Sequence, residues 1–237
     1  MVKIVSAEFV TSAAAGGSLD GIPADGLAQI AMTGRSNVGK STLLNALCRR
    51  QVARTSAAPG KTRLANVYRV TVEGMRPGRW SVYLVDLPGY GYARGGQEAA
   101  GELAAVAEAY FSSAARGSAG RGSAGRASAG QGFSPADHPS PDARLKPRAA
   151  GALLLVDARH PGLDADRQAA EWLSALGVDY RVVATKIDKL SRSERARNLK
   201  TLETTLGMPP LAVSAARGEG MDELWKTIAS LARTARA

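Results

Sequence analysis

Three short runs hold residue types and spacings suited to polyphosphate chemistry. Gly34-Arg35-Ser36-Asn37-Val38-Gly39-Lys40-Ser41 fits the pattern G-x-x-x-x-G-K-[ST]. In such a loop the glycines let successive backbone amides converge on phosphate oxygens. The lysine adds a cation at the β and γ positions, and the serine hydroxyl is a magnesium ligand. Asp86-Leu87-Pro88-Gly89 closes an apolar run. A carboxylate at the C-terminal end of a buried strand lies in the crevice where open α/β sheets bind ligands. There it is placed to hold magnesium through water, and Gly89 lets its amide approach a γ-phosphate. Thr185-Lys186-Ile187-Asp188 discriminates between bases. An aspartate that accepts from the N1 and N2 hydrogens of guanine rejects adenine, which presents no such donor pair. Together the runs imply GTP or GDP with Mg2+ rather than ATP.

Two weaker runs fill the gaps. Pro59-Gly60-Lys61-Thr62-Arg63 lies between the first two, where Thr62 could give magnesium a second hydroxyl while a γ-phosphate is present. Ser214-Ala215-Ala216 follows a short apolar run, where a backbone amide could reach the guanine carbonyl. Each run also has a plainer reading as a glycine, Pro-Gly or basic turn. A competing function is a nucleotide-independent RNA-binding protein with a structural phosphate loop; the Asp188→Asn variant separates the two. An ATP-dependent kinase or helicase is disfavoured by Thr185–Asp188 and by the lack of a second catalytic constellation.

Such groups need strand ends and helix starts to aim them. Apolar runs at Leu27–Met32, Trp80–Val85, Gly151–Val156, Tyr180–Ala184 and Leu211–Val213 read as strands. Helical patterns follow at Gly39–Arg50, Gly95–Phe111, Asp164–Leu176, Ser191–Leu206 and Met221–Arg233. Continuous apolar strands interleaved with helices predict a mostly parallel sheet covered on both faces. An alternating strand near Leu64–Val72 could pair antiparallel with the Trp80 strand at an edge. The expectation is a doubly wound, three-layer α/β domain over residues 1–237, with six strands and one antiparallel edge.

The composition narrows the class. Of 237 residues, 45% are hydrophobic and 5% aromatic, and 26 are glycine, so part of the chain is expected to stay unpacked. That part is residues 114–144, where an Arg-Gly/Ala-Ser-Ala-Gly unit recurs at Arg116, Arg121 and Arg126. With no large apolar side chain between Phe111 and Phe133, it cannot offset the entropy of ordering, and it reads as a disordered loop inserted in the domain. The single cysteine, Cys48, and two histidines exclude a disulfide scaffold and a zinc finger. Cys48 reads as an inert thiol on a packed helix face, and His160 as a turn residue. No apolar run reaches the ~18 residues of a membrane span, and the start of the chain has no signal-peptide quality, so a soluble cytoplasmic protein is expected.

The wording around the boxes resembles a known family. AEFVTSA, GRSNVGKSTLLNAL, PGKTR, DLPGYGYA and VDARHPGLDADRQAAEWL are similar to the EngB (YihA, YsxC) GTPases of the TrmE–Era–EngA–YihA–septin-like group. The likeness covers about residues 1–111 and 145–235. It implies a monomeric cytoplasmic GTPase that acts as a switch in assembly of the large ribosomal subunit, with rRNA and ribosomal proteins as partners and a link to cell division and septation. It further implies that Gly34 to Ser41 with Thr42 hold the phosphates, and that Gly60, Lys61, Thr62, Arg63 and Leu64 form the first switch. Asp86, Leu87, Pro88 and Gly89 then form the second, Thr185, Lys186, Ile187 and Asp188 hold the base, and Val213, Ser214 and Ala215 line its carbonyl edge. The metal set is Ser41, Thr62 and, through water, Asp86. Asn37 matches an asparagine that helps related GTPases bind K+; its other reading is a turn residue tolerant of the left-handed conformation. Tyr90 stands where Ras-type GTPases carry a water-orienting glutamine, so slow intrinsic hydrolysis is expected and no catalytic base is assigned. The family, unlike this chain, joins the helix ending near Phe111 to the Gly151 strand by a short loop.

The net charge of +10 is regional. Residues 49–79 carry +7, while residues 114–148 and 186–200 carry +4 each, so the rest is net acidic. Basic residues concentrated around the first switch and the helix after Asp188 imply an RNA-facing surface and argue against a membrane partner.

Overall fold

A computed structural model describes residues 2–13, 22–23, 25–53, 64–74, 78–90, 106–107, 109–111 and 151–234. The 114–144 insertion and residues 60–63 lie outside the described residues.

The apolar runs form one sheet. Its strands are β1 (Lys3–Ala13), β2 (Gln29–Gly34), β3 (Ala65–Glu73), β4 (Arg79–Asp86), β5 (Gly151–Asp157), β6 (Tyr180–Thr185) and β7 (Leu211–Ala212), in the order β1-β3-β4-β2-β5-β6-β7. From β4 to β7 all neighbours are parallel; β3 is antiparallel to both β4 and β1. Thus β3 pairs with β4 as expected, but β1 lies outside it and makes a seventh strand.

Strand β1 leaves little trace in the sequence because little of it is covered. Only Ala7 and Ala13 within it are buried, and its register breaks between Ile4 and Ser6 and between Phe9 and Thr11. A one-sided apolar alternation is therefore missing.

The central strands show why both faces need helices. Every residue of β2 and β5 is buried. Ile30, Met32, Leu153 and Leu155 pack on one side with α1 (Lys40–Cys48) and α4 (Met221–Thr234), through Leu43, Leu44, Leu47, Leu224, Trp225 and Ile228. Ala31, Leu154 and Val156 point to the other side, where α2 (Asp164–Ala175) and α3 (Arg192–Leu206) supply Leu173, Leu202 and Leu206. The period of two along each strand thus feeds two cores. Residues 106–107 and 109–111 are also helical, and Tyr110 and Phe111 join the second core. Helix α3 starts with a capping box: the Ser191 hydroxyl accepts from the Glu194 amide, and the Glu194 carboxylate accepts from the Ser191 amide at 2.9 Å. Cys48 is fully buried, and burial pushes its thiol up to about 12, the inert state expected.

Candidate functional site

The parallel strands deliver their C-terminal ends to one rim, where β2, β4 and β6 run into the three chemical runs. The loop after β2 turns tightly at its start. A Cβ on Gly34 would lie 2.6 Å from the Leu155 carbonyl oxygen, so only glycine lets the loop leave the sheet here. The loop then passes through Asn37 at φ 62 and Gly39 at φ 105 before α1 begins at Lys40. The turn role of Asn37 is thus met: the residue is exposed and left-handed, and its carbonyl accepts from Lys186 Nζ at 2.6 Å.

Lys40 is buried, and its Nζ donates to the carbonyls of Gly34 at 3.0 Å and Arg35 at 3.3 Å. Burial lowers its pKa and the nearby Asp86 opposes. Ser41 Oγ donates to Asp86 Oδ2 at 3.4 Å, while Asp86 Oδ1 is buried with no partner among the described residues. Burial raises Asp86 to about 6 against the opposing pull of Lys40 and Ser41. A serine hydroxyl beside an orphaned carboxylate oxygen is an all-oxygen donor pair of the kind a hydrated magnesium takes. The Leu87 side chain turns into the core and Pro88 is buried, which leaves only their backbone to face a nucleotide.

At the other end, β6 and β7 meet. Ser214 Oγ donates to Asp188 Oδ1 at 2.7 Å, and Lys189 lies 3.7 Å from Asp188 Oδ2. The Ser214 bond holds Asp188 below its usual range. The Ser214 hydroxyl also accepts from the Arg217 amide at 3.1 Å. Apart from position, the tripeptide Ser214-Ala215-Ala216 carries no signal for this side-chain link. Thr185 bridges inward: its Oγ1 bonds the carbonyls of Val38 at 2.8 Å and Val156 at 3.1 Å. Ile187 is buried in the core. Lys186 Nζ lies 2.9 Å from Asp157 Oδ2, and Arg159 bonds the same carboxylate at 2.7 and 2.9 Å. Although burial opposes it, these bonds lower Asp157 to about 2.

At the base end lies a cavity of about 200 Å³, closed on its far side by the phosphate loop and the start of α1. Val38, Gly39 and Thr42 wall one side, and Lys186, Asp188, Val213 and Ala215 the other. Residues from the loop, from Thr185–Asp188 and from Val213–Ala215 therefore line one cavity. Leu64 is exposed at the foot of β3, and Gly60, Lys61, Thr62 and Arg63 lie outside the described residues. Tyr90 does not turn toward Lys40: its hydroxyl donates to Asp166 Oδ1 at 3.2 Å, and Asp166 also accepts from Arg35 Nε at 3.0 Å. Asp166 lies within the family-like run VDARHPGLDADRQAAEWL, but nothing in that run signals its bonds to Tyr90 and to Arg35, which is 131 residues away.

The sheet order, the glycine-lysine loop at the end of β2, Asp86 at the end of β4 and Asp188 just beyond β6 define the phosphate-loop GTPase class. A family model described as 50S ribosome-binding GTPase matches residues 29–116. A probable GTP-binding protein EngB from Pelotomaculum thermopropionicum is 36% identical over 232 residues, 96% of each chain. One from Geobacter sulfurreducens is 36% identical over 98% of this chain and 93% of its own. The chain belongs to the EngB family of GTP-binding proteins. Solved structures agree on the fold. A probable GTP-binding protein EngB has a TM-score of 0.57 at 20% identity, covering 87% of this chain and 99% of that one. A point variant of Aquifex aeolicus Era bound to GDP and aluminium fluoride has a TM-score of 0.61 at 21% identity, covering 86% of this chain and 56% of Era. No helix among the described residues is long and apolar enough to cross a membrane.

Proposed function

We propose that the chain hydrolyses GTP to GDP and phosphate as a switch in assembly of the large ribosomal subunit. The observation that carries this is that Ser41 and Asp86 bond beside Lys40, while Gly39 and Thr42, which flank that lysine and serine in the chain, line the same cavity as the Ser214-oriented Asp188. Asp188, held ionised, accepts from the guanine edge. The backbone of Gly34 to Ser41, continued by Thr42, takes the phosphates, and Lys40 neutralises the β and γ oxygens. Lys186 braces the loop through the Asn37 carbonyl, and Val213 and Ala215 border the base. Ser41 and, through water, Asp86 would hold Mg2+, with Thr62 as a further ligand; the ion offsets charge on the β- and γ-phosphates. Asn37 is the candidate K+ contact.

The Tyr90 hydroxyl is already bonded to Asp166, which supports slow intrinsic hydrolysis raised by a partner or by K+. The ribosomal role is supported by the description of the matching family and by the clustered basic residues. A role in division and septation, cytoplasmic location and a monomeric state follow from the family likeness. The 114–144 insertion is proposed to be a tolerated loop; its deletion should leave ribosome association and its salt dependence unchanged. Titration with GDP, GTP and ATP, followed by co-sedimentation with large subunits in each nucleotide state, tests the whole. Guanine-selective binding with state-dependent association is expected, and equal ATP and GTP binding overturns it.

A further inference from the structure

Beyond Asp86 the chain does not leave the phosphate loop; it runs alongside it. Leu87 N donates to Met32 O at 3.1 Å, and Ser36 N donates to Tyr90 O at 3.0 Å, with Arg35 and Tyr90 paired as a parallel bridge. The Gly89 backbone lies so close that a Cβ there would stand 2.9 Å from both Lys40 Nζ and Ser36 N. Residues 89–90 thus cover an amide and an ammonium that, in the function proposed above, must face the terminal phosphate of GTP.

One cluster fastens this strap. Tyr90 sends its hydroxyl to Asp166 Oδ1, which also takes Arg35 Nε, so the strap, the loop beneath it and the start of α2 converge on one carboxylate. Asp166 is 1% exposed. Arg35 Nη2 and Asp166 Oδ2 are both buried without partners among the described residues, so the cluster is held but not saturated. Burial and the Asp166 carboxylate keep the Tyr90 hydroxyl well above its ordinary range, so it remains a donor.

We infer that Asp166 is a positioning residue that sets the balance between nucleotides: through Tyr90 and Arg35 it holds residues 89–90 on Ser36 and Lys40, favouring GDP, and GTP binding must break the Tyr90–Asp166 bond. The inference rests on the guanine-nucleotide reading. GDP leaves the strap in place because it brings no terminal phosphate to the space under Gly89. GTP binding carries the cost of one hydrogen bond to a buried carboxylate, enough for about a tenfold difference in affinity ratio.

The test is calorimetric titration of the full chain, as wild type, Tyr90→Phe, Asp166→Asn and the double variant, with GDP and with a non-hydrolysable GTP analogue in magnesium buffer. Tyr90→Phe keeps the ring and removes one oxygen. It should raise the analogue-to-GDP affinity ratio about tenfold, chiefly through tighter analogue binding. In the double variant the ratio should rise little beyond that of Tyr90→Phe, because the Tyr90–Asp166 bond is already gone and Asp166→Asn then removes only the charge facing Arg35. If Asp166→Asn fails to fold, Tyr90→Phe alone carries the test. An unchanged ratio overturns the inference. So does an equal loss of affinity for both nucleotides accompanied by a lower melting temperature, which marks a purely structural tie. Wild-type protein that binds neither nucleotide overturns the guanine reading and the strap's role together, whereas guanine binding with an unmoved ratio overturns only the strap's role.

Discussion

The phosphate end and the base end of the site treat buried charge in opposite ways. At the phosphate end, Lys40 is lowered and Asp86 raised, both first by burial, and Asp86 Oδ1 has no partner among the described residues. At the base end, Asp188 and Asp157 are both lowered, held by Ser214 and by Arg159 with Lys186. The base end satisfies itself; the phosphate end is built for charges that arrive with the ligand. The pH dependence of stability separates them. Asp86, raised from 3.8 to about 6, contributes to folding below about pH 4, and that contribution is lost as pH rises through 6. Asp157, lowered from 3.8 to about 2, contributes above about pH 4, and its contribution is lost as pH falls through 2.

If the base end is preorganised for guanine, Asp188→Asn should do the most damage. The amide replaces one acceptor oxygen with a donor facing two donors of the base, so affinity for GDP should fall by about a thousandfold, with little change in melting temperature. Titration with GDP and ATP measures it, and retained guanine preference would break the contrast. Ser41→Ala tests the other end. Loss of the hydroxyl should weaken GDP binding by some tens of fold in magnesium. Chelating the metal should then weaken the variant further by much less than the wild type.

What could be read from the sequence follows the same division. The phosphate loop is legible because backbone geometry restricts it locally, Asp86 because it ends a recognisable apolar run, and Asp188 because it follows one by a few residues. Strand β1 escapes because most of its residues are exposed, and its edge position removes the period that marks β3. Long-range partners escape for another reason. Thr185 bonds the Val38 carbonyl across 147 residues, and Asp166 meets Arg35 and Tyr90 only after the sheet brings α2 beside the loop. Such pairs carry no spacing signal, and they are what tie the legible pieces together.

Asp157→Asn addresses that tie. The carboxylate holds Lys186, which in turn holds the Asn37 carbonyl, so the variant leaves Arg159 and Lys186 without their anion. It should lower stability by about 1–2 kcal/mol at neutral pH. Because Asp157 titrates low in the folded chain, the deficit should shrink as pH falls from about 4 toward 2. Thermal melts across that range measure it, and a deficit independent of pH would mean that packing, not charge, was lost.

The smallest effect is expected at Ser214, and it decides whether the base end is preorganised or only occupied. Ser214 Oγ touches Asp188 and the Arg217 amide but is itself fully buried, so it acts on the base only through Asp188. Ser214→Ala removes one hydrogen bond to a charged group, and GDP affinity should fall about fivefold to tenfold. The loss should appear for guanine nucleotides and not for the weak binding of ATP, since only the guanine contact depends on Asp188. If Asp188 is already fixed by its backbone, Ser214→Ala will leave GDP affinity unchanged and cost only stability. The orientation would then come from the turn at Lys186, whose φ of 60 sets the direction of the chain before Asp188, rather than from the serine.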